Sequence, residues 1–248
     1  MRAWRKAAEG GHSQAQFFIG LGYEFGKGVT EDHKTAAEWY AKAAAQGDAH
    51  ALCNLGHLFE HGQGVARDFK SAAACYAKAA AQGHAVSQSN LGILYANGAG
   101  VEHDFKTAVE WYAKAAAQGQ AAAQSNLGAA YELGRGVAKD FKVAAAWYGK
   151  SAAQGNPRAQ FNLGFAYEKG QGVAQDSKAA ASWYAKSAAQ GCAEAQFNLG
   201  DSYEHGKGVA QDFKAAAAWF AKAAAAGDDE APARRDACLA RAAAASRR

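Results

Sequence analysis

Between Asp48 and His61 the apolar and small residues Ala51, Leu52, Leu55, Gly56 and Phe59 recur three and four positions apart, which predicts a helix with one inward stripe. A second helix is predicted from Asp68, running through Cys75-Tyr76 to Ala-Gln-Gly at 81–83, where the glycine can adopt a left-handed C′ conformation. This pair of patterns returns along the chain. Trp39, Trp111, Trp147, Trp183 and Trp219 lie on a 36-residue grid, and Cys75 fills the remaining slot. Such a period marks a repeat protein.

Six units follow without insertion or deletion, at 12–47, 48–83, 84–119, 120–155, 156–191 and 192–227. Residues 3–11, AWRKAAEGG, match the second half of a unit with Trp4 in the slot of Tyr40, so residues 1–11 are expected to form a half-repeat. Asp48 and Asn156 suit the N-cap of the first helix, and Pro157 suits its first turn. An aspartate stands before every second helix: Asp32, Asp68, Asp104, Asp140, Asp176 and Asp212. Helix, turn and helix, six times and without a strand signal, predict an all-α fold, a right-handed α-solenoid superhelix. Residues 228–248 leave the repeat and are expected to form a capping helix or tail, with Pro232 early in it and Leu239 an apolar anchor.

A glycine inside each first helix (Gly56 and Gly164 among the six) costs about 1 kcal/mol of helix propensity. The expected compensation is close approach of a Trp or Tyr from a second helix, helped by small residues such as Ala72 and Ala73. The turn YEKGQGVAQD (167–176) superficially resembles a phosphate loop. It has neither the Lys-Ser/Thr of a nucleotide cradle nor a preceding strand. Gly170 and Gly172 are therefore read as chain-reversing residues, with Val173 packed under the turn and Asp176 capping the next helix.

Segments such as NLGFAYEKGQGVAQDSKAAASWYAKSAAQG resemble the Sel-1-like repeat (SLR) family, relatives of the tetratricopeptide repeats with a slightly longer unit and a G-x-G-V turn. The resemblance covers residues 3–227. It implies an adaptor or scaffold rather than an enzyme, as members serve bacterial signalling, envelope processes, host interaction or eukaryotic protein quality control. Some members carry two cysteines in every repeat, and a few of those are linked to penicillin binding. Here Cys53, Cys75, Cys192 and Cys238 ignore the 36-residue grid, so a β-lactam-binding or hydrolase reading loses its support.

Charge adds little: 27 basic against 23 acidic side chains give a net +4, with no long block of one sign, and no nucleic-acid partner is implied. No apolar run approaches the ~20 residues that cross a bilayer, so membrane insertion is not expected. The absence of a signal peptide and of a repeat disulfide framework favours the cytoplasm. Glu24, Glu60, Glu132, Glu168 and Glu204 recur in one slot and are expected to build the solenoid, leaving no catalytic carrier and no cofactor.

The candidate partner-binding residues lie on the first helices, on a stripe opposite the core stripe that is expected to line a concave groove. Asn54, Asn90, Asn126, Asn162 and Asn198 share one slot, either holding the backbone of an extended peptide or bonding the neighbouring repeat. Beside them, three slots vary from unit to unit while their neighbours stay constant. They hold His50, His57 and His61 in the second unit, Val86, Ile93 and Asn97 in the third, Arg158, Phe165 and Lys169 in the fifth, and Glu194, Asp201 and His205 in the sixth. The pattern suits a peptide with apolar anchors and one acidic group, with His57, Ile93, Arg158, Phe165 and Lys169 as contacts. Self-association is the alternative. No metal is expected; His57 and His61, at i and i+4, are the residues that would hold one, with His50 a third ligand and Asp201/His205 a lesser pair.

Overall fold

The computed structural model describes the backbone of residues 2–245 and the side chains of residues 4–245. It contains α1 (Arg2–Glu9), α2 (Ser13–Glu24), α3 (His33–Ala45), α4 (Ala49–His61), α5 (Phe69–Ala81), α6 (Ala85–Asn97), α7 (Phe105–Ala117), α8 (Ala121–Leu133), α9 (Phe141–Ala153), α10 (Pro157–Lys169), α11 (Ser177–Ala189), α12 (Ala193–His205), α13 (Phe213–Ala225) and α14 (Ala231–Ala245). No strand occurs among the described residues, and no helix there is long and apolar enough to cross a membrane. The even-numbered helices α2 to α12 are the first, or A, helices of the repeats, and their successors are the B helices. The chain divides into two compact units, one of residues 1–123 with 135–137, the other of 124–134 with 138–248.

Helix starts follow the sequence closely. Asp68 accepts from the backbone N–H groups of Lys70 and Ser71, and the equivalent aspartates cap the other five B helices in the same way. Asp48 and Asn156 cap their A helices through Ala51 and Ala159. Each cap satisfies donors that a helix start leaves open, a contribution of about 1 kcal/mol.

Within each unit the core forms where a B helix meets the A helix of the next repeat. In the first unit, Ala36, Ala37, Tyr40 and Ala43 of α3 pack on Ala51, Leu55 and Leu58 of α4. In the second, Ala180, Tyr184 and Ala188 of α11 pack on Ala195 and Leu199 of α12. The A-helix stripe is wider than the apolar spacing predicts, since Leu58 is fully buried as well. Alanine dominates the B helices because their backbones lie against neighbours on two sides, where larger side chains would hold them apart.

The A-helix glycine is a contact surface for tyrosine, not tryptophan. A Cβ on Gly56 would lie 2.8 Å from Tyr76 Cε1, and one on Gly164 would lie 2.8 Å from Tyr184 Cδ1. The tyrosine ring buries completely on the bare backbone, and that burial offsets the helix cost of glycine. The tryptophans are half-buried on the B helices, each with the lysine three positions on over its ring, as with Trp183 and Lys186 at 3.8 Å. In the turn, Gly170 has φ 66° and ends α10. Gly172, at φ 73°, comes so close to the start of α9 that a Cβ would meet the carbonyl of Phe141 at 2.0 Å. No phosphate cradle is formed, because the turn is filled by the preceding repeat.

α14 takes the place of a seventh A helix. Asp228 caps it through Ala231, 36 positions after the equivalent Ala195, and Ala231 and Cys238 are fully buried against α13. Leu239 is not an anchor: it is half exposed, and the helix seats itself through Ala231, Cys238 and Ala242. The Arg247-Arg248 end lies outside the described residues.

Candidate functional site

The asparagine slot is occupied in building the repeat. Burying a tyrosine hydroxyl requires a partner, and a glutamate of the same repeat's A helix supplies it. Tyr76 donates to Glu60 at 2.7 Å, Tyr148 to Glu132 at 2.5 Å, Tyr184 to Glu168 at 2.7 Å, and Tyr40 donates to Glu24. The asparagine of the next repeat then donates to the phenol oxygen, Asn54 to Tyr40 at 3.1 Å, with Asn90, Asn162 and Asn198 bonded to Tyr76, Tyr148 and Tyr184. Burial, and then the bond to glutamate, push all four phenols far above their ordinary pKa of 10.0.

Where the tyrosine slot changes, the asparagine slot that follows it changes too. Phe18 stands in the asparagine slot and Trp4 in the tyrosine slot, and the two rings pack at a tilt of 47° with centroids 4.9 Å apart. At the other end Phe220 replaces tyrosine and Arg234 replaces asparagine. Arg234 donates to Glu204 at 2.7 Å and to Asp201 at 2.7 Å, Arg241 reaches Glu204 at 2.9 Å, and Lys207 reaches Asp201 at 3.0 Å. Asp201, Glu204 and His205 gather three ligand-type atoms within 4.8 Å of one another, but two guanidiniums and an ammonium already hold the carboxylates. Burial raises the Asp201 carboxyl, and the bonds from Arg234 and Lys207 outweigh it, leaving the group below its usual range. This cluster is an ion network.

A second ladder is made of glutamine. Gln46 donates to Gln16 at 2.8 Å, Gln118 to Gln88 at 2.8 Å, Gln154 to Gln124 at 2.8 Å and Gln190 to Gln160 at 2.9 Å. Gln196 continues the row, but Ala226 occupies its partner's slot, and the buried Gln196 Oε1 has no hydrogen bond.

The variable slots face solvent. His50, His57, His61, Val86, Asn97, Arg158, Lys169, Glu194 and His205 are exposed, while Ile93, Phe165 and Asp201 are half-buried. In the second compact unit a cleft of about 570 Å³ opens between the first turns of α10 and α12, walled by Pro157, Arg158, Phe161, Asn162, Cys192 and Glu194. Phe165 and Lys169 lie outside it, further along α10, where the Lys169 ammonium is 5.4 Å from the Phe165 ring centre and paired with Glu168 at 2.7 Å. The Cys192 thiol donates to Glu194 at 3.2 Å, and Glu194 also accepts from its own backbone N–H; these bonds, with the nearby Arg158, hold its carboxyl low. Of the residues expected to bind a partner, Arg158 and Asn162 therefore share one cavity. Phe161 and Cys192 belong to it too, although the repeat pattern does not single them out as partner contacts.

In the first compact unit, the His57 and His61 rings stack at 4.2 Å, and His50 sits edge-on to His84 at 4.9 Å instead of joining them. Ile93 lies on the next A helix, half-buried. The four cysteines are free thiols, and burial raises those of Cys53, Cys75 and Cys238.

Paired helices on a strict 36-residue period, glycine-seated tyrosines and G-x-G turns define a helical-hairpin repeat protein of the solenoid class. The Sel1 repeat model matches residues 13–48, 49–84, 85–120, 121–156, 157–192 and 193–228, and the chain belongs to this family. It is similar to c5321, a protective antigen of uropathogenic Escherichia coli displaying an SLR fold, at 37% identity and TM-score 0.87, over 94% of this chain and 50% of that one. It is also similar to a Sel1 repeat protein of Oxalobacter formigenes, at 34% identity and TM-score 0.80, over 86% of this chain and 85% of that one. An immunity protein of Pseudomonas aeruginosa, at 22% identity and TM-score 0.55 over 86% of this chain and 81% of its own, shares the fold. The chain thus spans half the length of c5321. Comparison with curated proteins finds no match. Proteins of this repeat family are generally protein-interaction scaffolds.

Proposed function

We propose that the protein is a non-catalytic adaptor that holds a peptide or protein segment against its A helices. The carrying observation is the cleft between α10 and α12, where an exposed guanidinium, Arg158, stands beside the half-buried ring of Phe161. Such a cavity suits an apolar side chain flanked by a carboxylate, the charge gaining from Arg158 and the side chain from desolvation. The variable slots next to it supply selectivity, because the repeat core does not constrain them. The asparagines Asn54, Asn90, Asn126, Asn162 and Asn198 contribute where an amide group remains open after the repeat is built, Phe165 and Lys169 extend the stripe along α10, and Ile93 offers the equivalent contact on α6.

Peptides selected from a random displayed library against the full chain test this reading. The expected consensus contains an acidic residue next to an apolar one. Arg158→Glu should weaken the selected peptides by at least about tenfold, the worth of one charge-assisted bond, with helicity unchanged. Selected peptides without an acidic residue, or equal affinity for the variant, would refute it.

A further inference from the structure

Half of the eight histidines, His50, His57, His61 and His84, lie on α4 or at the cap of the following A helix, although packing demands histidine at none of these slots. The slots of His57 and His61 hold Ile93 and Asn97, Phe165 and Lys169, or Asp201 and His205 in other repeats. We propose that His57 and His61 form a two-imidazole site for a late first-row divalent transition ion such as nickel, copper or zinc. This site is independent of the peptide cleft, which lies in the other compact unit.

Three observations carry the assignment. The two residues are one helical turn apart on the exposed face of α4, with ring centroids 4.2 Å apart and planes inclined by 30°, so two ring nitrogens are available to one ion. His61 Nδ1 lies 3.0 Å from the carbonyl oxygen of His57. A carbonyl only accepts, so Nδ1 carries the hydrogen and Nε2 carries the lone pair, which is the tautomer and backbone anchor common among metal-binding histidines. Among the described residues no group is hydrogen-bonded to the ring of His57, and no cation of the kind that fills the Asp201/His205 pair stands against these two.

Burial, then the neighbouring His61, hold the His57 ring below its ordinary pKa of 6.5, against weaker upward pulls from Glu24 and Glu60. Those two carboxylates already accept the phenol hydrogens of Tyr40 and Tyr76. Imidazole selects nickel, copper and zinc over magnesium or calcium, and two ligands leave the remaining coordination positions to water or to a donor brought by a partner.

Isothermal titration of the untagged full chain with NiCl₂, ZnCl₂ and MgCl₂ tests the site. The expected result is one nickel or zinc ion per chain and no saturable magnesium binding. His57→Ala and His61→Ala should each weaken binding by about tenfold or more, the usual loss for a disturbed ligand set, and the double variant should abolish it. His50→Ala and Cys192→Ser should leave it intact. With CuSO₄, nitrogen hyperfine structure in the electron paramagnetic resonance spectrum should disappear in the double variant. Nickel or zinc binding that persists in the double variant, or no saturation below about 1 mM, corresponding to a binding free energy of only about −4 kcal/mol, would overturn the proposal.

Discussion

Arg234 reaches Glu204 through two nitrogens, at 2.7 and 3.0 Å, from the slot that asparagine fills in five of the six A helices before it. The Glu204 side chain is only 5% exposed, so its charge depends on the two arginines of α14. Arg234→Ala should destabilise the docking of α14 by about 1–3 kcal/mol, since Arg241 retains part of the compensation. Hydrogen exchange should show faster opening of α14 with little change in α10. Uniform acceleration across α10 to α14 would refute a local latch.

The tyrosine triads predict a graded response to loss of one oxygen. Tyr76→Phe removes the donor to Glu60 and the acceptor for Asn90, and should cost about 1–3 kcal/mol in chemical denaturation. Tyr112→Phe, in the repeat where Ala96 stands in the glutamate slot, should cost less. Equal losses would show that ring packing, not the triad, carries the stability.

Alkaline stability follows from the same phenols. Tyr40, Tyr76, Tyr148 and Tyr184 have raised folded pKa values, so their contribution is complete below the unfolded value of about 10 and is lost as pH rises above it. A subset of tyrosines should ionise, by ultraviolet absorbance, only together with loss of helical circular dichroism. Ionisation of all ten tyrosines with helicity intact would contradict this.

Two glycines that look alike in sequence should respond oppositely. Gly56→Ala places a methyl 2.8 Å from the Tyr76 ring and should destabilise by about 1–3 kcal/mol. Gly149, inside α9, has nothing within 4 Å of an added Cβ, so Gly149→Ala should stabilise by about 0.5–1 kcal/mol. Thermal melts of the two variants decide the point.

Ala226→Gln should complete the glutamine ladder by supplying a donor to Gln196 Oε1. A gain of about 0.5–1.5 kcal/mol is expected, or a few degrees in Tm for a chain of this size. An unchanged melting temperature would indicate that water already satisfies this oxygen.

The period, the capping aspartates and the close approach at Gly56 were legible because each recurs in every repeat and maps onto a local rule. Tyrosine, rather than tryptophan, as the occupant of the glycine seat was not, since adjacent residues on one helix point to different faces and only the packed partner distinguishes them. The triad left a trace in the sequence: Glu60, Tyr76 and Asn90 recur at fixed offsets, and Phe220 with Arg234 departs from the pattern as a pair. Bonds between helices 14 and 16 residues apart lie beyond any helical periodicity, so that trace has no local reading. The cleft at Arg158 was only half visible. Arg158 stood out by varying between repeats, whereas Phe161 and Cys192 acquire a shared cavity only once two A-helix starts are side by side.

Gly172 against Phe141, Asn162 against Tyr148 and Gln190 against Gln160 all join residues fewer than 36 positions apart. Excising residues 156–191 would therefore bring Asn198 to Tyr148, Gln196 to Ala152 and Gly208 to Phe141, with each new neighbour of the same type as the one removed. The bonding scheme tolerates recombination between repeats, so modules could be gained or lost in single genetic events without passing through a broken core.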